Sequence, residues 1–533
     1  MQDKAIDLLG LQEWWRRNVD GELDDSFTSL RSTQMDIISW AQERHEPYLI
    51  VNAPTGVGKT LSGGLYAAQR DGDFSYIVST RQLQRQVSED LGIPTLMGRN
   101  NFTCLIGQQT HGVTVDASKG KCNFNEWCQH SGIESKTGLL PLHRCDYYEQ
   151  KYIALQRRGR VSNYPMILKM PELRVKTKTL ICDEAHRIEG AVINAERIVL
   201  PRFLTQLYGL RIPLLGNDVS VWRQWASRYG HVKSKKKYDT TAKSINDNFR
   251  RITNMGSEWL VDDKIGEVSF TPVFGGPFVL PSLFGHDRVD ARALLEGDTG
   301  RHGIEKVMLM SATMLAPDIT ETTLGLPAGT WAYLDLPSPF PVGNRPINFA
   351  PVAQMNMATM KTREGREPVA TAMDKLIDHY LLTGRKSGII HAVSKVYQTC
   401  IIADSRWRSI MVTDVDEHAK RVSEGKPSVL VSYNIIDGWD GADNLCRFVL
   451  IPKVPFPNLG DRHVKERMRR DQRSYDYQAI VSVVQGVGRG VRHKEDVAES
   501  WILDSNWEGL YKRRGAWLPE SFLSAYHHGV SIV

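Results

Sequence analysis

The chain has 533 residues, 41% hydrophobic and 24% charged, with 7 Cys; at roughly 100–200 residues per domain this excludes a single small module and calls for about three or four domains. Lys and Arg number 67 against 61 Asp and Glu, a net charge of +6, which excludes a strongly acidic or polybasic protein and is compatible with a nucleic-acid partner. Seven cysteines are too few and too odd in number for a disulfide scaffold, and with charges in the opening Met1-Gln-Asp-Lys and no apolar run near ~20 residues, a soluble cytoplasmic protein without a membrane span is expected.

Along the chain, short apolar runs rich in β-branched residues recur: Tyr48 to Val51, Tyr76 to Ser79, Thr179 to Cys182, Val307 to Met310, Gly388 to Ala392, Val429 to Ser432, Phe448 to Ile451 and Trp501 to Leu503. Strands buried on both faces need such unbroken runs, and helical-looking segments separate them, so the expected fold class is α/β with parallel sheets. The runs fall before about residue 315 and after about 385, two lobes joined through the proline-rich stretch Leu336 to Pro346. Residues 96–150, with clustered cysteines, and 191–270, rich in Trp, Arg and Lys, read as insertions on the first sheet.

Ala53-Pro-Thr-Gly-Val-Gly-Lys-Thr60 directly follows the first run and precedes a helix-compatible segment from Leu61. Strand, loop and helix in that order aim backbone N–H groups and a helix N-terminus at one point, a cradle for the phosphates of ATP. Pro54, Thr55, Gly56, Val57 and Gly58 form the loop, Lys59 is placed to bridge the β- and γ-phosphates, and the Thr60 hydroxyl to take Mg²⁺. Ala53 stands where the pattern usually has its first glycine.

Asp183-Glu-Ala-His186 follows the third run, putting two carboxylates at the carboxyl end of a parallel strand, where open α/β sheets bind ligands. Asp183 is expected to hold Mg²⁺, directly or through water, and Glu184 to polarise the attacking water. Ser311-Ala-Thr313 ends the fourth run, where small hydroxyls could relay the nucleotide state to the second lobe. In Gln485-Gly-Val-Gly-Arg-Gly-Val-Arg492, a continuous helix would put Gln485, Arg489 and Arg492 on one face, as arginine fingers for a phosphoryl group require.

Cys104, Cys122, Cys128 and Cys145 are separated by 17, 5 and 16 residues. The short C-x₂₋₄-C hairpin of most structural zinc sites is absent. Spacing alone leaves three possibilities open: a 4Fe-4S cluster, a zinc site in which His130 or His143 substitutes, or unliganded thiols. Cys182, Cys400 and Cys446 are scattered.

Together these segments resemble motifs I, II, III and VI of superfamily 2 helicases, and the cysteines between motifs I and II make the chain similar to the XPD/DinG-type iron–sulfur helicases. Smaller elements agree. Arg31-Ser-Thr-Gln34 resembles the R-x-x-Q adenine element, Ser79-Thr-Arg-Gln-Leu83 motif Ia on the nucleic-acid path, and Gly98 to Cys104 the lead-in to the first cluster ligand. Ser338-Pro-Phe-Pro341 resembles the S-P-F element, Asp437-Gly-Trp-Asp440 motif V, with Asp440 at the nucleotide, and Pro455-Phe-Pro457 the P-F-P that follows. Asn52 departs from the usual acidic residue before motif I, and Asp437 from the usual Glu of motif V. These departures and the compact length suggest a phage or plasmid relative of DinG.

The resemblance implies two RecA-like lobes: the first from 1–95, 151–190 and 271–345, the second from 346–533, with an iron–sulfur domain at 96–150 and an arch-like insertion at 191–270. It implies a monomeric ATP- and Mg²⁺-dependent DNA helicase with a 4Fe-4S cluster on the four cysteines. Such an enzyme moves 5′ to 3′ on single-stranded DNA and unwinds tailed or forked duplexes. Two alternatives stand beside it: a nucleic-acid-stimulated ATPase that remodels protein–DNA or RNA complexes without unwinding, and a zinc-stabilised binding module with a vestigial ATP site. Candidate nucleic-acid surfaces are Arg157 to Arg160, Lys233 to Lys237 and Arg462 to Arg473, with Trp222, Trp225, Trp439, Tyr475 and Tyr477 as candidate stacking residues.

Overall fold

A computed structural model describes residues 8–25, 27, 29–106, 116–119, 145–235, 239–297, 303–433 and 441–532. All eight apolar runs fall on strands. In chain order, β1 (Tyr48–Asn52), β2 (Phe74–Val78), β3 (Gly159–Asn163) and β4 (Thr179–Asp183) precede a segment holding β5 (Ile198–Pro201), β6 (Trp259–Asp263) and β7 (Glu267–Pro272). β8 (Lys306–Ser311) and β9 (Trp331–Asp335) complete the first lobe. The second lobe holds β10 (Ile347–Ala353), β11 (Ser387–His391), β12 (Met411–Val412), β13 (Ser428–Ser432), β14 (Phe448–Ile451), β15 (Glu499–Asp504) and β16 (Tyr526–His528).

The first sheet runs β3-β2-β4-β8-β1-β9 and the second β12-β13-β11-β14-β15-β10-β16. The pairings in both are parallel. Every residue of β1 is buried, because its alternate side chains serve two cores. Leu49 and Val51 pack with Leu61 and Leu65 of the helix Lys59–Gln69. Tyr48 and Ile50 pack on the other face with Tyr164, Ile167 and Phe284. Apolar faces on both sides of one sheet explain the unbroken hydrophobic runs.

β1, β8 and β4 are adjacent and in parallel register. Neighbouring strands lie about 4.8 Å apart, so the phosphate loop after β1, Ser311-Ala-Thr313 after β8 and Asp183-Glu184 after β4 leave the sheet side by side. The switch in strand order puts them on one edge, as ligand sites of open α/β sheets require.

Between β4 and β8, the chain forms a separate antiparallel sheet, β5-β7-β6, with its own core of Trp222, Phe249, Val261 and Phe270. This unit is fastened to the second lobe. In the helix Arg462–Arg470, Arg462 donates to the Val261 carbonyl, His463 Nε2 to Pro272 O at 2.8 Å and Arg467 to Val273 O at 3.2 Å. Arg467 also forms an ion pair with Glu189 at 2.8 Å, both side chains nearly inaccessible. Glu189 lies in the helix Ile188–Glu196, which follows the Asp183–His186 motif, and it accepts a second bond from the Gly275 N–H.

Most basic side chains in two of the expected nucleic-acid surfaces are paired within the fold, Lys465 being an exposed exception. Arg462 and Arg467 bind the insertion, while Arg469 and Arg470 are held by Glu466 and Arg473 by Asp471. In the other stretch, Arg160 is fully buried against Asp73, Arg157 pairs with Asp20, and Arg158 donates to the carbonyls of Asn18, Ala68, Arg70 and Gly72. Short, locally compensated arginines look basic in sequence and contribute little field outside the fold. Trp222 and Tyr477 are buried in cores, and Tyr475 stacks on Phe456 at 5.4 Å, so these rings are committed internally.

Arg467→Met leaves Glu189 buried without its cation, a defect of about 3–5 kcal/mol. A clear fall in Tm by calorimetry is expected, and Glu189→Gln combined with Arg467→Met should recover most of it.

Candidate active site

The carboxyl edge of the first sheet faces the second lobe across a cleft of about 610 Å³. It is lined by Arg31, Gln34, Pro54, Thr55, Gly56, Gly58, Lys59, Thr60, Asp183, Glu184, Gln485, Arg489 and Arg492. Val57 of the loop is fully buried beneath it. Asp440 lies outside the described residues, as does the whole of Asp437 to Asp440.

Gly56 and Gly58 have φ of +82° and +87°, and the helix begins at Lys59, two residues before the sequence suggests. A Cβ at Gly58 would stand 2.1 Å from Gln34 Nε2. That contact is the Arg31-to-Gln34 element gripping the loop. Gln34 Nε2 donates to Gly58 O at 3.4 Å, Arg31 donates to Gly56 O, and Gln34 Oε1 accepts the Arg31 N–H at 2.8 Å. Phe340 of Ser338-Pro-Phe-Pro341 covers the other side of Gly56, where a Cβ would meet its ring at 2.5 Å. Phe340 packs in turn on Val491 and Ala498 of the second lobe.

Lys59 Nζ donates to Ala53 O at 2.9 Å and Pro54 O at 3.0 Å. Burial lowers its pKa, opposed by Asp183 and Glu184 and reinforced by Arg492. Asp183 is raised above the usual carboxylate range, first by burial and then by Glu184, with Lys59 opposing. Glu184 adopts the left-handed region at φ +50°, unusual for a non-glycine residue.

His186 joins three motifs. Its Nε2 accepts from Gln485 Nε2 at 2.7 Å, which leaves Nδ1 as the N–H nitrogen. Nδ1 stands 2.8 Å from Ser311 Oγ and 3.2 Å from Glu184 Oε2. Gln485 also donates to Thr313 Oγ1 at 3.5 Å, and Ser311 Oγ lies 3.2 Å from the same hydroxyl. The hydroxyls expected to relay nucleotide state thus sit in a continuous hydrogen-bonded path between lobes.

One expectation is corrected. The helix Gln472–Val487 ends at Gly488, so Arg489 and Arg492 lie beyond it and do not share a helix face with Gln485. Glycines 486, 488 and 490 disfavour continuation. Arg492 is instead anchored through its backbone N–H, which donates to the buried Asp496 at 3.1 Å. The three residues still reach one cleft.

Residues 389–522 match the Helicase C-terminal domain family. The probable ATP-dependent helicase MJ0942 of Methanocaldococcus jannaschii is 28% identical over 182 residues, covering 28% of this chain and 27% of the relative. The ATP-dependent DNA helicase chl1 of Schizosaccharomyces pombe is 28% identical over 140 residues, covering 22% and 17%. The chain thus aligns with about a quarter or less of the length of these curated relatives. A solved XPD helicase superposes with a TM-score of 0.58 at 15% identity over 94% of this chain and 100% of that one. The Xpd4 structure from S. tokodaii gives 0.51 at 12% identity, over 93% and 100%. In sequence the chain is similar to these helicases over part of its length, and it shares the two-lobed α/β fold of the XPD structures.

The sequence reading missed Phe27, Arg187 and Arg345, which also line the cleft. Phe27 is an aromatic ring just upstream of Arg31, a detectable signal. Arg345 sits in the proline-rich linker and donates to Phe340 O at 3.3 Å and Ser524 Oγ at 3.1 Å, tying linker to second lobe. Nothing in its local sequence marks it.

Of the four clustered cysteines, Cys122 and Cys128 lie outside the described residues, as do His130, His143 and Trp439. Cys104 is partly exposed and Cys145 buried, and Cys145 is the residue at which the helix Asp146–Gln156 begins. The segments flanking them are packed together: Arg99 lies 4.5 Å from the Tyr147 ring centroid and donates to Tyr148 Oη at 3.2 Å, and Phe102 meets Tyr147 at 5.9 Å. Among the described residues, no helix is long and apolar enough to cross a membrane.

Because burial raises the Asp183 pKa, its carboxylate is lost on acidification at a higher pH than the ordinary value of about 4. Affinity for Mg²⁺–nucleotide, measured by titration calorimetry, should fall with acidification above that range. Asp183→Asn should abolish this transition.

Proposed function

We propose that this chain is an ATP-dependent DNA helicase that moves 5′ to 3′ along single-stranded DNA and couples hydrolysis to unwinding of tailed or forked duplexes. The observation that carries the reading is the His186 bridge. It links Glu184, beside the phosphate loop and 3.2 Å from His186 Nδ1, to Gln485 of the other lobe, which hydrogen-bonds His186 Nε2 at 2.7 Å. A passive ATP-binding fold has no need of such a connection. The helicases it resembles in sequence supply the DNA substrate, one of them being a DNA helicase by name. The direction of movement rests on the XPD/DinG resemblance.

In this reading ATP enters with its base between Phe27 and the Arg31–Gln34 element and its phosphates on residues 54–60. Lys59, now bonded to loop carbonyls, turns to the β- and γ-phosphates, whose negative charge offsets its desolvation. Thr60 and Asp183 offer oxygen donors on the cleft wall, which suits a hard divalent cation. Bound there, Mg²⁺ would neutralise charge on the phosphates. Glu184 accepts a proton from the attacking water, and Arg489 and Arg492 neutralise charge on the transferred phosphoryl group. When the phosphate leaves, these arginines lose their counter-charge and the lobes separate.

Cys104 and Cys145 fit a thiolate-held group, since the segments that flank them pack together. With Cys122 and Cys128 they would hold a 4Fe-4S cluster, whose chemistry here is to cross-link a small domain. The segment at 191–270 corresponds in this reading to the arch.

Lys59→Ala and Glu184→Gln should each reduce ATP hydrolysis by at least about 10²-fold while DNA binding persists. Strand displacement on 5′-tailed against 3′-tailed duplexes tests the helicase reading, which hydrolysis without displacement on either would overturn. Anaerobically purified protein should contain iron and absorb near ~400 nm, a signal that Cys122→Ser removes. Stoichiometric zinc in colourless protein would refute the cluster.

A further inference from the structure

The charge of this protein is concentrated. Residues 191–270 hold thirteen Lys and Arg against eight Asp and Glu, so this one insertion accounts for most of the chain's net +6. Within it, residues 211–243 hold eight basic and two acidic residues. This region contains the stretch Lys233 to Lys237; Arg223 donates to Thr253 O and Lys235 lies over the Tyr208 ring, while other cations stay open to solvent. Arg211, Arg228 and Lys233 are exposed and pair with no carboxylate among the described residues.

The same region contains a groove of about 440 Å³, lined by Leu210, Arg211, Pro213, Trp225 and Tyr229. Its aromatic wall is the end of a ladder that runs outward from the insertion core. Phe270 meets the buried Trp222 at 5.6 Å, Trp222 meets Trp225 at 5.9 Å, and Trp225 meets Tyr229 at 6.2 Å. Trp222 is fully buried, Trp225 is partly covered, and Tyr229 is 59% exposed. The helix Val219–Tyr229 places Trp225 and Tyr229 four residues apart, on one face. Rings serving the core alone would not continue to the surface.

An apolar slot with Arg211 in its wall, and with Arg228 and Lys233 exposed on the neighbouring chain, matches a ligand that is flat and apolar at one edge and anionic at the other. We propose that this groove binds an unpaired nucleic-acid strand, with a base stacked on Tyr229 and Trp225 and phosphates on Arg211, Arg228 and Lys233. A duplex keeps its bases stacked internally and could use only the cations. A protein partner docking through the apolar wall would bury those cations without compensation unless it were acidic. The site is separate from the ATP cleft, and it rests on the proposed function only in taking a nucleic acid as the ligand.

The test uses the full chain carrying Lys59→Ala, without nucleotide, so that failure of the hydrolysis reading cannot be confused with failure of this one. Binding of fluorescein-labelled oligothymidylate is followed by anisotropy as salt is raised. Tyr229→Ala should weaken binding about tenfold, as one lost base–aromatic stack does, with the salt slope unchanged. Tyr229→Phe should restore it. Arg211→Glu with Arg228→Glu should weaken binding and reduce the magnitude of the slope by about 1.4, since each phosphate contact contributes about 0.7 on a single strand. Blunt duplex should be insensitive to Tyr229→Ala. Wild-type affinity and slope in both variants would overturn the proposal and leave the groove to a protein partner. Equal losses on single strand and duplex after Tyr229→Ala would overturn it too, because stacking would then not be the source.

Discussion

The fold depends on holding buried charges of opposite sign against one another across a seam between two lobes. Lys59, Asp183 and Glu184 come from the first lobe, Arg489 and Arg492 from the second. None is comfortable alone. Burial shifts Lys59 and Asp183 toward their neutral forms, and each is drawn back by the other. An anionic phosphate chain entering this seam adds charge that Lys59 and the arginines lack, and its departure removes it. The chemical state of the ligand therefore sets the electrostatic cost of keeping the lobes together.

That cost acts mechanically because the seam is tied at more than one place. Phe340 wedges between Gly56 and the Val491–Ala498 patch, His186 connects Glu184 to Gln485, and Arg467 pairs with Glu189 immediately behind the Asp183–His186 motif. The last contact also holds the insertion, through Arg462, His463 and the carbonyls of β6 and β7. That unit is also joined to the first lobe by the helix Ile188–Glu196, whose Ile188 and Val192 lie in the first-lobe core and whose Glu196 pairs with Arg251 at 2.6 Å. His391 shows the same economy of charge: burial and the nearby Arg489 guanidinium hold it down to about 4, so it adds no further cation to the seam at neutral pH.

The strands were legible in the sequence because burial on both faces leaves no room for polar alternation. Outside the β5-β7-β6 unit, β3, β9, β10, β12 and β16 were not: β3, β9, β12 and β16 lie at sheet edges, and β10 is interrupted by Pro351, where its register shifts. Local motifs gave the phosphate loop and the carboxylate pair, whose geometry depends on adjacent residues. Helical continuity from Gln485 to Arg492 failed because glycine propensity outweighs spacing. Asn52, a departure from the helicase pattern, has a plain reason: it donates to Asp335 at 2.8 Å and accepts from Met314 N at 3.0 Å. An acidic side chain there would face another carboxylate. Arg345 and the Arg467–Glu189 pair were invisible, because each joins segments whose proximity only the assembled fold defines.

Net charge is a poor guide to where a protein meets a polyanion, and this chain shows why. Its three basic stretches look equivalent in sequence, yet two of them neutralise internal carboxylates and carbonyls. Much of the residual charge lies on a unit that is inserted into the first lobe and has a core of its own. A strand held on this insertion would sit on a unit that both lobes contact, the first through the helix Ile188–Glu196 and the second through Arg462–Arg470, so that a change at the seam between the lobes would reach it from two sides.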